Sequence, residues 1–104
     1  MRVENLMREQ LQSADLEVVL SVVTVPPNTR LPLHTHPGEE FAYVMAGSAV
    51  LVRPEVEERF VAGQTVKVSL NEVHTVRTED EEATLIVFRV HTPGQPERIL
   101  VPEA

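Results

Sequence analysis

Short runs rich in valine and threonine, separated by proline and glycine, dominate the chain and predict many short strands. The chain has eighteen valines and eight threonines, and β-branched residues favour extended structure. The first run, Leu16–Val25, places valines on both faces, so we expect both faces to be buried for part of its length. Further strands are predicted at Glu40–Met45, Ala49–Arg53, Arg59–Val61, Thr65–Val68, Val73–Arg77, Ala83–Val90 and Ile99–Val101.

The N-terminal residues have a different pattern. Val3, Leu6, Met7, Gln10 and Leu11 have three-to-four spacing, which predicts a short helix or an irregular arm. We therefore expect one domain over residues 1–104, with an arm at 1–15, a core at about 16–92 and a tail at 93–104. Seven to nine short strands at this spacing are typical of an all-β sandwich or barrel.

Composition removes several classes of protein. The chain has 104 residues and a formal net charge of -7, so we expect no nucleic-acid partner and no docking on anionic lipid. No apolar run is long enough to span a membrane, and the first residues lack the apolar core of a secretory signal. Cysteine is absent, which excludes disulfides and thiolate ligands. We expect a cytoplasmic location.

Three histidines and one glutamate are the candidate chemistry. His34 and His36 point to the same face if they lie on a strand, Glu40 opens the next strand, and His74 lies in a later strand segment. These side chains could converge on one ion, and imidazole with carboxylate suits Zn, Fe, Ni, Cu or Mn. Taken alone, the His-x-His pair is equally compatible with a surface pair or with buried, hydrogen-bonded core histidines.

The spacing of these residues resembles the two motifs of the cupin superfamily. The first motif is glycine, five residues, His-x-His, three or four residues, Glu, six residues and glycine, and the chain matches it at His34, His36, Glu40 and Gly47. The second motif is glycine, five residues, Pro-x-Gly, two residues, His, three residues and Asn. Its matching positions are Gly63 and His74. Fifteen residues separate Gly47 from Gly63, as in small single-domain members of cupin type 2.

Four motif positions carry other residues. Asn28 and Asn71 stand where the motifs have glycine, Ser69 replaces the proline and Thr78 replaces the final asparagine. Asparagine tolerates a left-handed backbone better than most residues, so we expect Asn28 and Asn71 to keep the turns. None of the four changes removes a candidate ligand.

The resemblance implies a single small antiparallel β-barrel, a double-stranded β-helix of the jelly-roll type, with one divalent transition metal ion inside one end. The implied ligands are His34, His36, Glu40 and His74. The implied function is a metal-dependent enzyme, a dioxygenase or isomerase, acting on a small molecule. A module that binds a metal or small ligand without catalysis is the alternative. No catalytic residue beyond the ligands is identifiable.

Other polar residues are weaker candidates. His91 matches no motif ligand, and we expect it at the surface or behind the ligands. Tyr43 should point outward if Glu40 points inward, and Met45 is expected in the core. One arginine on a strand could bind a substrate carboxylate, although each is expected on the outer face; the three are Arg53, Arg77 and Arg89.

Assembly is expected to be homodimeric. The N-terminal arm and the Ile99–Val101 tail carry apolar residues outside the motif-bearing region, and exposed strand edges need a cover.

Overall fold

The computed structural model describes residues 1–102, and all of its regular secondary structure is β-strand. The strands are β1 (Arg2–Gln10), β2 (Glu17–Val25), β3 (His34–Thr35), β4 (Gly38–Ala46), β5 (Ser48–Val52), β6 (Glu57–Val61), β7 (Thr65–Val68), β8 (Thr75–Arg77), β9 (Ala83–His91) and β10 (Ile99–Leu100). The expectation of an all-β fold is therefore confirmed. No helix among the described residues is long and apolar enough to cross a membrane.

The strands form three antiparallel sheets. The largest has the order β1-β2-β9-β4-β7, a second has the order β6-β5-β8, and β10 pairs with β3 in the third. In the large sheet β9 lies between β2 and β4, although 57 residues separate the end of β2 from the start of β9. Long-range pairing of this kind brings segments that are distant in sequence onto one inner surface.

The hydrophobic core lies on the inner face of the large sheet. Side chains alternate along β9, so that Leu85 and Val87 are buried while Phe88 is exposed. The buried cluster consists of Val23, Val25, Val44, Leu85 and Val87, with Ala42 and Phe60 packed against it. Because Phe60 belongs to β6, this packing joins the large sheet to the three-stranded sheet.

The predicted N-terminal helix or irregular arm is wrong. Residues Arg2–Gln10 form β1, which pairs with β2 at the edge of the large sheet. All nine residues are exposed, so neither face shows a buried period of two, and the register shifts between Asn5 and Met7. Pairing with β2 satisfies the backbone hydrogen-bonding groups of this segment, so it forms a strand although neither face is buried.

Two asparagines adopt the backbone conformation that the cupin motifs assign to glycine. Asn28 has a φ of 53° and Asn71 a φ of 56°, as expected from their tolerance of the left-handed region. The backbone N–H of Asn71 donates to the carbonyl of His36 at 3.0 Å. The turn at Asn71 is thereby tied to the segment that carries two candidate ligands.

Gly47 and Gly63 give a matched test of the turns. A Cβ at Gly47 (φ 73°) would lie 1.9 Å from the backbone oxygen of Glu82, whereas one at Gly63 (φ 93°) would meet nothing within 4 Å. We expect Gly63→Ala to lower the free energy of unfolding by about 1–2 kcal/mol, the cost of a left-handed backbone. Gly47→Ala should cost about 1–3 kcal/mol more, because backbone must move. Urea unfolding measures both, and equal losses would contradict the steric argument.

Candidate metal centre

Backbone pairing brings His34 and His74 together although they are 40 positions apart in the sequence. The N–H of His34 donates to the carbonyl of His74 at 2.9 Å, and the N–H of His74 donates back at 3.0 Å. Such a directly opposed pair places both side chains on the same side of the strands. His36 follows His34 by two residues and therefore shares its face. The three rings are buried, with centroids 4.4–5.1 Å apart.

A backbone carbonyl fixes the orientation of each ring. The Nδ1 contacts are 2.6 Å from His34 to Pro32 O, 2.7 Å from His36 to Glu97 O and 2.8 Å from His74 to Glu72 O. Because a carbonyl oxygen only accepts, Nδ1 carries the proton, and Nε2 of a neutral ring keeps its lone pair. The rings offer ligand atoms that all lie within 4.8 Å of one another.

Glu40 places a carboxylate next to His36, outside the group of three histidines whose ligand atoms lie within 4.8 Å of one another. It lies on β4 directly opposite Arg89 of β9, and its Oε2 is 2.6 Å from Nε2 of His36. That oxygen is buried, yet it makes no hydrogen bond of regular geometry with the described residues. A neutral His36 held through Nδ1 would face it with a lone pair, so two acceptors meet at close range. A cation or a proton must lie between them, because two adjacent acceptors repel each other.

Imidazole nitrogens and one carboxylate form a donor set that suits a divalent transition metal. The orphaned Glu40 oxygen and the fixed Nδ1 bonds of the rings are the features expected around such an ion. The residues present therefore fit the metal that the motifs imply, and no thiolate is available in the chain.

The electrostatics of the site keep the ligands ready for a cation. Burial lowers the pKa of His34 to about 4 and also lowers the pKa of His74, so both rings stay neutral at pH 7. For Glu40, burial acts to raise the pKa, but His36 and Arg89 outweigh burial and the pKa falls below its ordinary value. The carboxylate is therefore ionised, as a ligand must be.

A cavity of about 290 Å³ opens beside these residues and is lined by all four of them. Arg89, on β9, also lines it and is only 8% exposed. The expectation that Arg89 lies on the outer face is therefore wrong. The alternation of β9 could have revealed this, because Arg89 has the same parity as Leu85 and Val87. Glu97, whose carbonyl holds His36, carried no signal in the sequence.

The remaining candidates lie away from the cavity. His91 is 3% exposed, so the surface alternative is wrong, and its Nε2 lies 3.9 Å from Glu17 Oε2. Tyr43 points outward as expected. Met45 is exposed, not in the core, because it shares the outward parity of Tyr43 at an irregularity in β4. Arg53 and Arg77 form ion pairs with glutamates outside the cavity.

The sequence profile of the cupin domain family matches residues 21–90. The chain belongs to the cupin family. The matched residues include every strand segment that carries a candidate ligand, from β3 to the residue before β8. Curated proteins gave no match to this cupin.

Solved structures with a similar fold include enzymes. DMSP lyase DddQ from Ruegeria pomeroyi is 26% identical with a TM-score of 0.75, and the alignment covers 88% of this cupin and 46% of the lyase. Polyketide cyclase RemF from Streptomyces resistomycificus is 27% identical with a TM-score of 0.70, covering 86% and 65% respectively. This cupin thus spans less than two-thirds of either enzyme.

A third similar structure supports the fold alone. It is an uncharacterized conserved protein with a double-stranded β-helix domain from Klebsiella pneumoniae, 21% identical with a TM-score of 0.69. The alignment covers 95% of this cupin and 82% of that chain. The predicted double-stranded β-helix is therefore confirmed.

The depressed pKa of His34 predicts how stability depends on pH in metal-free protein. The unfolded ring titrates near 6.5 and the folded ring near 4, so between these values the unfolded state binds more protons. Stability should therefore fall as pH decreases from 6.5 to 4, by up to about 3 kcal/mol before water at the cavity mouth screens the effect.

Urea unfolding of chelator-treated protein at several pH values measures this slope. His34→Asn should reduce it whatever its overall stability, and Leu70→Gln, at an exposed position outside the large sheet, should leave it unchanged. An equally steep slope in His34→Asn would show that His34 is not its source.

Proposed function

We propose that this cupin binds one divalent transition metal ion through His34, His36, Glu40 and His74. The observation that carries the proposal is the group of three buried histidines with ligand atoms within 4.8 Å of one another, beside the buried Oε2 of Glu40, which lacks a regular hydrogen bond and lies 2.6 Å from His36. Leaving such a group unpaired is costly, and a bound cation satisfies it. Fe, Mn, Ni, Cu and Zn all fit this donor set.

We further propose that the metal-bound protein acts on a small molecule, as an oxygenase or an isomerase. Four protein ligands leave two positions open on an octahedral ion, where the ion would polarise a bound oxygen atom. The cavity supports this proposal because it joins the candidate ligands to a space of about 290 Å³, which suits a small substrate and not a polymer. Apolar side chains, including Val23, Leu31 and Val76, would limit the water near the ligands.

The chain's own polar groups would hold the site in its working form. The Nδ1 bonds to carbonyls keep each ring in the tautomer that presents Nε2, and they prevent the rings from turning away. Ligand atoms must be unprotonated to bind an ion, so binding should weaken as pH falls.

Metal binding is tested by elemental analysis of protein purified without added metal. Wild type should carry about one equivalent, and His34→Ala or His74→Ala should lose affinity by more than the ~10–100-fold typical of an outer partner. His91→Gln is the matched control, because His91 is equally buried but does not line the cavity. Wild type that takes up none of Mn, Fe, Ni, Cu or Zn on titration would overturn the proposal.

Oxygen uptake and isomerisation assays then separate an enzyme from a binding module. Enols, thiols and catechols are suitable first substrates. Turnover that depends on the metal and disappears in His34→Ala would support the enzyme. Metal-loaded protein that binds these compounds without converting any of them would favour the non-catalytic module.

We also propose that the protein is a homodimer formed through the outer face of the large sheet. Phe41, Tyr43 and Phe88 are neighbours there and are 38–46% exposed. Together with Ile86 they line a shallow apolar depression, and contiguous apolar surface of this kind favours association.

Light scattering on a sizing column tests the dimer. Wild type should elute at twice the chain mass, and Phe41→Glu combined with Phe88→Glu should give a monomer that retains its metal. Leu70→Glu is the control, because Leu70 is 58% exposed outside this sheet. A monomeric wild type would refute the homodimer without affecting the metal site.

A further inference from the structure

Arg89 is a buried cation with unused hydrogen-bond donors. Its Nε and Nη1 atoms are buried and have no hydrogen-bond partner among the described residues. The nearest carboxylate oxygens are Glu40 Oε2, 3.9 Å from Nε, and Glu97 Oε2, 3.7 Å from Nη1. Both distances exceed that of a hydrogen bond. Because a guanidinium stays charged in proteins, Arg89 places a cation beside the cavity, and two of its donors have no acceptor.

Neither nearby glutamate is a free partner for Arg89. Glu97 Oε1 accepts from Arg8 Nη2 at 2.6 Å, so this carboxylate already has a cation. Glu40 Oε2 lies 2.6 Å from His36 and would be directed to the metal under the proposed function. Binding of an ion by Glu40 would therefore leave Arg89 with less compensating charge than before.

The charge of the cavity favours an anion, although the protein as a whole is acidic. Two arginine and two glutamate side chains line it, namely Arg89, Arg98, Glu40 and Glu97. Their formal charges cancel, so a bound divalent ion would give the cavity a net positive charge. The complete chain has a formal net charge of -7. A cationic cavity within an acidic protein selects negatively charged small molecules, because buried charges are screened less than those at the surface.

We infer that the ligand of this cavity is a small carboxylate, with its carboxylate paired to Arg89. A guanidinium forms charge-assisted hydrogen bonds with a carboxylate, and Arg89 is a buried guanidinium that lines the cavity. The cavity volume of about 290 Å³ lies at the low end for ligand sites, so the molecule has few carbon atoms. This inference deepens the proposed function and rests on it for the role of the metal.

Calorimetric titration of Mn²⁺-loaded protein tests the inference, with glycolate as the probe and glycolamide as its neutral counterpart. Glycolate should bind wild type, and glycolamide should bind at least about 10-fold more weakly. Arg89→Met should weaken glycolate binding roughly 10- to 100-fold, the range for a lost hydrogen bond to a charged group. The glycolate affinity of Arg89→Lys should fall between those of wild type and Arg89→Met, because lysine keeps the charge and lacks the planar guanidinium.

Arg77→Met is the matched control. Arg77 also lies on a strand and pairs with a glutamate, but it is outside the cavity, so glycolate binding should not change. Metal content is measured for every variant. The alternative is that Arg89 only positions Glu40. In that case Arg89→Met will lose metal, and metal-loaded Arg89→Lys will bind glycolate no more tightly than glycolamide. This result would show that the inference is wrong.

Failure of the metal site and failure of the carboxylate site give different results. Wild type that holds Mn²⁺ and binds glycolate as tightly as Arg89→Met would refute the carboxylate site alone. If wild type takes up no metal, the proposed function fails, and thermal unfolding of the metal-free protein decides the role of Arg89. Stabilisation by glycolate in wild type but not in Arg89→Met would still support the carboxylate site, and its absence would refute it.

Discussion

The close approach of Glu40 to His36 is the interaction on which the candidate metal centre of this cupin depends. Two buried acceptor atoms at 2.6 Å repel each other unless a cation or a proton lies between them. The Nδ1 bond from His36 to the carbonyl of Glu97 removes the simplest alternative, a neutral ring that donates from Nε2. The pair is therefore stable only with added positive charge. A proton between the two atoms meets this requirement, and the proposed metal ion would meet it as well.

Strand pairing in the double-stranded β-helix brings the residues of the candidate site together. Opposed pairing holds His34 and His74 together, and β9 places Arg89 directly opposite Glu40. The apolar cluster around Val25 and Val44 lies beneath the same sheet and fixes its inner face.

Much of the fold could be predicted from local patterns. Leu16–Val25 and Ala83–Val90 were predicted as strands because long β-branched runs have few alternatives, and both are confirmed with ends shifted by one residue. The segment Arg2–Gln10 was predicted wrongly because no face of it is buried. β1 is held by its pairing with β2 and buries neither face, so its sequence does not need to alternate between hydrophobic and polar residues. A hydrophobic pattern in the sequence predicts a strand only where one face is buried, and this segment has no buried face.

For the site, the sequence by itself determined which candidate ligands are available: three histidines and a glutamate at cupin spacing, with no cysteine to compete. Only the tertiary structure decided that the carbonyl of Glu97 orients His36 and that Arg89 faces the cavity without a hydrogen-bond partner. The physical reason is distance along the chain. Residues within one motif are placed by strand period, but contacts between positions 36 and 97, or 40 and 89, exist only after the sheets assemble.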